Sequence, residues 1–260
     1  MIKTLPALGV AILATTALSG CSGGSTPKKY GGAISLLAMS LGTNSVLNGY
    51  GAFFESYSPP AGFDPFEIPA PNGSCAPFSP KGPATFVSLD AGESVGVMTG
   101  ATSLTYHRNV NPGIIDYAPN EFPPPVFDAP YDITFAGSGD VAAQTFPASI
   151  LLPKQVTLIT PAATVLSNGN SVFVSSGLLA WEPTGAQLAR VSLGPQSGIF
   201  SFECFFEDNG TFEIPAAILA LAPSSGVLTF ATSVQKEIEL NGRFVETYGV
   251  SEFMASYTRP

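Results

Sequence analysis

Along most of the chain, hydrophobic residues occur in short runs that end at Gly, Pro, Asn or Asp. Many runs are rich in β-branched and aromatic residues, and turn residues recur at intervals of about 8–12 positions, as in β-sandwiches. The pattern therefore predicts strands joined by tight turns. We predict strands at 85–89, 94–99, 103–107, 131–136, 145–152, 155–160, 171–175, 178–182, 188–193, 199–206, 211–214, 227–233, 237–240 and 243–257.

Two turns contain Asn-Gly, which supplies the positive φ angles of a type I′ hairpin turn. Asn209-Gly210 predicts a hairpin between the strands on either side of it, and Asn241-Gly242 predicts a second one. One short helix is predicted at 215–221, because Pro215 suits a helix start and Pro223 suits a stop.

The size of the C-terminal part predicts where the chain divides. Residues 153–260 match one immunoglobulin-like sandwich in length, and Trp181 resembles the strand Trp of related sandwiches. Residues 31–152 form a second predicted β unit, in which the proline-dense stretch 119–130 is a long loop. The predicted fold is all-β: one or two immunoglobulin-like β-sandwich units with one short helix.

Composition excludes several classes of protein. Charged residues make up 11% of the 260, the net charge is −9, and there is one His. A nucleic-acid-binding surface needs clustered Lys and Arg, so no nucleic acid partner is expected. Windows longer than 20 residues carry no charge at 30–54, 155–181 and 214–235. Turn residues interrupt each window, which indicates weakly charged strands and loops instead of membrane spans.

The N-terminal residues predict a targeting signal. Lys3 precedes the uncharged stretch 5–20, which is too short for a membrane-spanning helix. The stretch ends in Leu18-Ser19-Gly20-Cys21, which resembles the lipobox of bacterial lipoproteins. The resemblance implies removal of the signal peptide 1–20, lipidation of Cys21 and attachment to a membrane through the lipid. The alternative is an ordinary secretory signal that is cut near Ala17 or Gly20.

The residues after Cys21 resemble the start of a mature lipoprotein. Residues 21–30 are rich in Ser and Gly and predict a flexible tether. Ser22 stands where Asp would suggest inner-membrane retention in Gram-negative lipoproteins, so the resemblance favours the outer membrane. The expected location is therefore the bacterial cell envelope, with either face of that membrane possible.

Once Cys21 is assigned to the lipid, Cys75 and Cys204 remain. An even remainder in an exported chain predicts one disulfide, which would join the two halves of the chain. The alternative is two unpaired thiols. Neither Cys has a His nearby in sequence, so a catalytic Cys is not expected.

No motif for catalysis stands in a suitable context. Ser94 lies in a Gly-x-Ser-x-Gly sequence at 92–96, but a predicted strand follows it where a nucleophile elbow needs a helix. His107 follows Ser94 with no acid between them, contrary to the order of that family. Acidic residues clustered around the hairpin predicted at Asn209-Gly210 offer a carboxylate pair for glycan hydrolysis, with a solvated strand face and a polar turn as the alternative. These residues are Glu203, Glu207, Asp208 and Glu213.

Two further groups of residues suggest binding. The oxygen-rich loops 90–93, 137–140 and 207–210 lack the spacing of an EF-hand, and ordinary turn chemistry explains them equally well. Aromatic residues crowd a Gly- and Pro-rich region, where they either stack on a sugar or protein partner or attach an irregular segment to the core. They are Tyr50, Phe53, Phe54, Tyr57, Phe63, Phe66 and Phe78.

Several short pieces are similar to a group of uncharacterised exported β-sandwich proteins of bacteria, a resemblance that implies no known activity. The pieces are 89–92, 137–141, Trp181, 202–204 and 210–216. We therefore expect a lipid-anchored envelope or cell-surface protein that acts as a non-enzymatic binding, adhesion or assembly module, with a protein or glycan partner. No catalytic, cofactor-binding or metal-binding residue is assigned. The alternative is an extracellular polysaccharide hydrolase that uses carboxylates near the 203–213 hairpin.

Overall fold

The computed structural model describes residues 29–58, 72–77, 85–100, 102–138, 140–166, 169–196 and 200–260. The predicted signal peptide 1–20, the predicted lipidation residue Cys21 and aromatic residues Phe63, Phe66 and Phe78 lie outside them. Tyr30, the last residue of the predicted tether, is the first residue of a strand.

The described chain is nearly all β, as the turn-punctuated pattern predicts. The single helix α1 spans Ala216–Leu219 and lies within the predicted helix. The strands are β1 Tyr30–Leu41, β2 Asn44–Ser58, β3 Asn72–Pro77, β4 Thr85–Ser88, β5 Ser94–Thr99, β6 Thr102–Asn111, β7 Ile114–Pro119, β8 Ala129–Phe135, β9 Gln144–Leu152, β10 Leu158–Thr160, β11 Ala163–Leu166, β12 Gly169–Phe173, β13 Leu178–Trp181, β14 Leu188–Gly194, β15 Phe202–Phe206, β16 Thr211–Glu213, β17 Ser225–Leu240 and β18 Arg243–Thr258.

Two sheets contain these strands. The large sheet has the order β3-β15-β14-β17-β18-β1-β2-β7-β6-β5-β8-β9, with β4 beside β2 and the β11–β12 hairpin beside the end of β18. The small sheet has the order β10-β13-β16. Most neighbours are antiparallel, but β1 and β12 both run parallel to β18.

Hydrophobic side chains form two cores. The N-terminal core is built mainly from β1, β2 and β5–β9, and the C-terminal core lies between the small sheet and β14, β15, β17 and β18. The long β17–β18 hairpin enters both, because Leu240 and Val245 belong to the first core and Phe230 and Ala255 to the second. Backbone pairing is therefore continuous across the division at 152–153, and a division into two units stays a prediction.

The two Asn-Gly turns differ. Asn241 and Gly242 have φ angles of 51° and 71°, and they join β17 to β18 as predicted. The hairpin predicted at Asn209-Gly210 is wrong, because β15 pairs with β3 and β14 while β16 pairs with β13. The segment between β15 and β16 instead crosses from the large sheet to the small one.

Strands β1 to β3 were not predicted. Along β1 the side chains of Ile34, Leu36 and Ala38 are fully buried, but Leu37 and Met39 on the other face are also apolar. An alternating pattern cannot appear in the sequence when both faces of a strand carry apolar residues.

Candidate functional site

Exposed apolar side chains lie along the β11–β12 hairpin, inside the charge-free window 155–181. We call this surface the neutral edge and define it as β11 together with the side chains of Leu41 and Phe173. Val165 is 55% exposed, Leu166 46%, Phe173 58% and Leu41 37%. Leu166 and Phe173 share one face of the hairpin, and Val165 shares the other with Ala163, as the register of β11 on β12 requires.

The hairpin occupies a position that β1 leaves open. β1 pairs with β18 as far as Ser40, and β12 pairs with β18 from Ser171 onward. The buried Asn170 side chain bridges this change of partner, because its Nδ2 donates to Ser40 O at 3.3 Å and to Met254 O at 2.9 Å. Hydrogen bonds from Asn170 in β12 therefore attach the β11–β12 hairpin to the main sheet.

The turn after β1 also contacts the hairpin. A Cβ atom on Gly42, whose φ is +65°, would lie 2.2 Å from Leu166 O. Only a residue without a side chain permits this approach, so Leu41 is held beside the β11–β12 turn.

One side of β11 is open. β11 pairs with β12, and no other strand of the described chain pairs with it. Natural edge strands are usually blunted by Lys, Pro, bulges or charges that discourage further pairing. Other edges here follow that rule: β9 contains Pro147 and a positive φ at Ala148, and β3 ends in Pro77. β11 consists of Ala163, Thr164, Val165 and Leu166; it has no Lys, Pro, bulge or charge, and only its shortness limits further pairing.

The predicted disulfide is present. Cys204 Sγ on β15 and Cys75 Sγ on β3 are 2.03 Å apart, and the two residues are direct partners in the register of these strands. The bond joins the N-terminal and C-terminal halves of the chain, as predicted, and Cys204 is fully buried in the C-terminal core.

The structure does not bring the predicted carboxylates together. Phe206 stacks on Phe212 of the small sheet with ring centroids 4.0 Å apart, so the small sheet covers the core face of β15. Glu203 alternates with these core residues and points to the opposite face. Glu213 is exposed on the edge strand β16 of the small sheet. The two carboxylates therefore lie on different sides of the packed sheets.

Glu203 instead belongs to a buried charge cluster that the sequence did not reveal. Arg190 Nη1 lies 3.2 Å from Glu203 Oε1, and its Nη2 lies 3.7 Å from Glu252 Oε2. Ala231 stands between Arg190 and Glu252 in the register, and its small side chain lets the guanidinium cross over. Burial raises the pKa of Glu252, and the Arg190 guanidinium opposes that rise. Only the pairing of four strands makes these residues neighbours, so no local signal could have identified them.

Asp208 has a structural role at the crossing between the sheets. Its Oδ1 accepts a hydrogen bond from Trp181 Nε1 at 2.7 Å. Its Oδ2 accepts from Thr184 N at 2.7 Å, Thr184 Oγ1 at 2.9 Å and Ala186 N at 3.0 Å. Glu207 beside it is exposed. The loop 207–210 therefore anchors Trp181 and the chain that follows it.

Two of the oxygen-rich loops meet. Asp90 N donates to Asp140 Oδ2 at 3.0 Å, and Ser138 Oγ donates to Asp90 O. Arg108 Nη2 lies 2.6 Å from Asp90 Oδ2 and neutralises the charge that a cation would need. Burial raises the pKa of Tyr117, whose hydroxyl donates to Gly92 O at 3.1 Å. Within the described ranges, no group of three or more His, Cys, Asp or Glu residues could hold a metal ion.

Ser94 and His107 are partners in the register of β5 and β6. Ser94 is the first residue of β5, so no helix follows it, and His107 is exposed. A nucleophile elbow requires a strand-to-helix turn at the Ser, and this segment has a strand instead.

The described aromatic residues of the crowded region pack against each other. Phe53 is fully buried in the N-terminal core. Phe54 and Tyr57 are half-buried, and their rings stack at 5.7 Å. Tyr30 contacts both at 6.2 and 5.5 Å. Burial raises the pKa of Tyr50 to about 12, and the Asp116 carboxylate adds to the rise. These residues hold β2 against its neighbours, as the packing alternative predicts.

In the described part of the chain, no helix has the length and apolar character needed to cross a membrane. Comparison of the chain with family models, curated proteins and solved structures finds no match in any of the three.

Proposed function

We propose that this chain is a lipid-anchored protein of the bacterial envelope or cell surface, and that it acts as a non-enzymatic binding, adhesion or assembly module. The observation that carries the proposal is the neutral edge, an exposed strand with a free side and no charged residue. Such an edge presents backbone N–H and C=O groups that can pair with a strand of a partner. Its apolar side chains add contact area on both faces of the added strand.

The location rests on the N-terminal sequence. The lipobox ending at Cys21 and the Ser- and Gly-rich residues after it support an anchor followed by a tether. Several acyl chains give stable attachment, because each buried methylene contributes about 0.8 kcal/mol. The outer membrane is the proposed destination, by the resemblance at Ser22.

The finer form of the fold is part of the proposal. We infer that the strands form one or two immunoglobulin-like sandwich units. Trp181 on the small sheet supports this, because its ring packs against Phe206 and Phe230 of the large sheet at 5.4 and 4.9 Å. Two sheets that face each other across an aromatic core are typical of sandwiches.

Site-specific photo-crosslinking in the native envelope tests the binding role. A benzophenone amino acid replaces Val165 in the neutral edge, and a matched variant carries it at Val110 on β6, which is 64% exposed. We expect crosslinked adducts from position 165 and none of the same mass from position 110. Equal adducts from both positions, or none from position 165, would contradict the proposal.

A further inference from the structure

We propose that the partner of the neutral edge is a second copy of this chain. The two copies are attached to facing membranes and pair antiparallel through β11. This inference rests on the proposed function, because it names the partner of the same edge. Three properties of the described residues support it: the charge of the edge, the symmetry of the strand, and the distance of the edge from the start of β1.

Charge favours a second copy at this place. The chain carries a net charge of −9, so two copies repel each other over most approaches. Residues 155–181, which include β10 to β13, carry no charge. β11 therefore offers a strand at which two identical acidic molecules can pair without placing charged side chains of that strand opposite each other.

The strand is compatible with self-pairing. An antiparallel pair of identical strands is related by a twofold axis, and each strand gives and receives the same hydrogen bonds. The proposed pair has its twofold axis beside Val165, so that Val165 lies opposite its own copy. Leu166 and Phe173 of both copies then border the new pair on one face.

The directions of the strands determine where β1 of each copy begins in the dimer. β11 is antiparallel to β12, β12 is parallel to β18, and β18 is parallel to β1. A twofold axis perpendicular to the sheet reverses every direction in its plane, so β1 of one copy runs opposite to β1 of the other. The two β1 strands, each of which follows a predicted tether in sequence, therefore begin at opposite ends of the dimer.

The edge lies far from the start of β1. β1 begins at Tyr30, next to the tether, and ends at Leu41, beside the neutral edge. At about 3.3 Å per residue these ends are separated by about 36 Å. The proposed anchor at Cys21 precedes, in sequence, the end of β1 that lies away from the edge. Copies on two facing membranes meet edge to edge, which is the geometry of adhesion.

The contact between one pair of copies is small. A four-residue strand and a few apolar side chains bury less than the roughly 1,000 Å² of a stable interface. Many copies on one membrane act together, since linked weak contacts add to a strong one. Clustering of membranes that carry the protein is therefore a more sensitive measurement than the oligomeric state in solution.

The test uses vesicles that carry the full lipidated protein, with clustering followed by turbidity. We expect wild-type vesicles to cluster with each other and to leave protein-free vesicles dispersed. Val165→Lys places like charges across the pair and is expected to slow clustering by about tenfold or more. The matched control Val110→Lys adds the same charge at another exposed Val and is expected to cluster like wild type.

The decisive experiment mixes vesicles that carry opposite charges at position 165. Vesicles with Val165→Lys alone, or with Val165→Glu alone, are expected to stay dispersed, whereas a mixture of the two clusters. A destabilised variant could not regain clustering on mixing, so this arm separates loss of folding from loss of the contact. Far-UV circular dichroism confirms that each variant is folded.

The outcomes are distinct for the two proposals. Dispersed wild-type vesicles, clustering unaffected by Val165→Lys, or a Lys–Glu mixture that fails to cluster would each overturn pairing between copies. Clustering with protein-free vesicles would identify a lipid surface as the occupant and would also overturn it. If a crosslink from position 165 then reaches a different protein, the proposed function stands and only the second copy is refuted.

Discussion

The four hydrogen bonds to Asp208 allow a sharp test of how the loop between the sheets is held. In Asp208→Asn one carboxylate oxygen becomes an NH2 group, and the two orientations of the amide differ in cost. If nitrogen replaces Oδ1, it faces the donor Trp181 Nε1, which lies 2.7 Å from that oxygen. If nitrogen replaces Oδ2, it faces three donors. The first orientation is therefore favoured, and one donor loses its acceptor.

The expected cost follows from that loss. A hydrogen bond to a charged group contributes about 1.5–3 kcal/mol, and a buried donor left without a partner costs a similar amount. We expect Asp208→Asn to lower the free energy of unfolding by about 2–3 kcal/mol. In a Trp181→Phe background the opposing donor is gone, so the same change should cost about 1–2 kcal/mol less.

The assay is urea unfolding of wild type, both single variants and the double variant. Far-UV circular dichroism is the signal, because Trp181 is the only Trp in the chain and its replacement removes the fluorescence. Glu207→Gln is the matched control, since it removes one charge from the exposed neighbour and should change stability by less than about 0.5 kcal/mol. Additive effects of the two substitutions, within about 0.5 kcal/mol, would refute the assigned contact.

Three further predictions follow from the anchor, the disulfide and the charge cluster. Cys21→Ala should move the protein from the membrane fraction to the soluble fraction, and retention in the membrane would contradict the lipid anchor. Replacing Cys75 and Cys204 together by Ser should lower the free energy of unfolding, measured by urea, by up to about 4–5 kcal/mol, because the bond closes a loop of more than 100 residues. Alkylation of both thiols in the native wild type would contradict the bond. Because burial raises the folded pKa of Glu252, its protonated form stabilises the fold: the contribution is full below the unfolded pKa and is lost as pH rises through the folded pKa. Glu252→Gln should therefore reduce the fall in stability that accompanies a rise in pH above the pKa of an unfolded Glu, and an unchanged pH profile would show that Glu252 titrates as in the unfolded chain.

Local pattern and tertiary pairing determine different parts of this protein. The sequence alone predicts the all-β class, the turn at Asn241-Gly242, the short helix and the pairing of Cys75 with Cys204. Each of these predictions depends either on backbone preferences within a few residues or on a count of the thiols. Neither kind of signal requires knowledge of which strands pair. At the end of β17 acidic and apolar residues alternate in the sequence, and Glu237 and Glu239 are exposed whereas Leu240 is buried.

Tertiary structure decided which strands became neighbours, and with that the surfaces available for function. The Asn209-Gly210 turn has the local chemistry of a hairpin, yet β16 pairs with β13, and this pairing places Phe212 against the core that contains Trp181. Arg190 and Glu252 are distant in sequence and meet only across the strand between them. The charge-free window is visible in the sequence, but its exposure on a free strand depends on where β1 ends beside β18. Hydrogen bonding between strands joins residues regardless of their separation along the chain, and no local pattern records that choice.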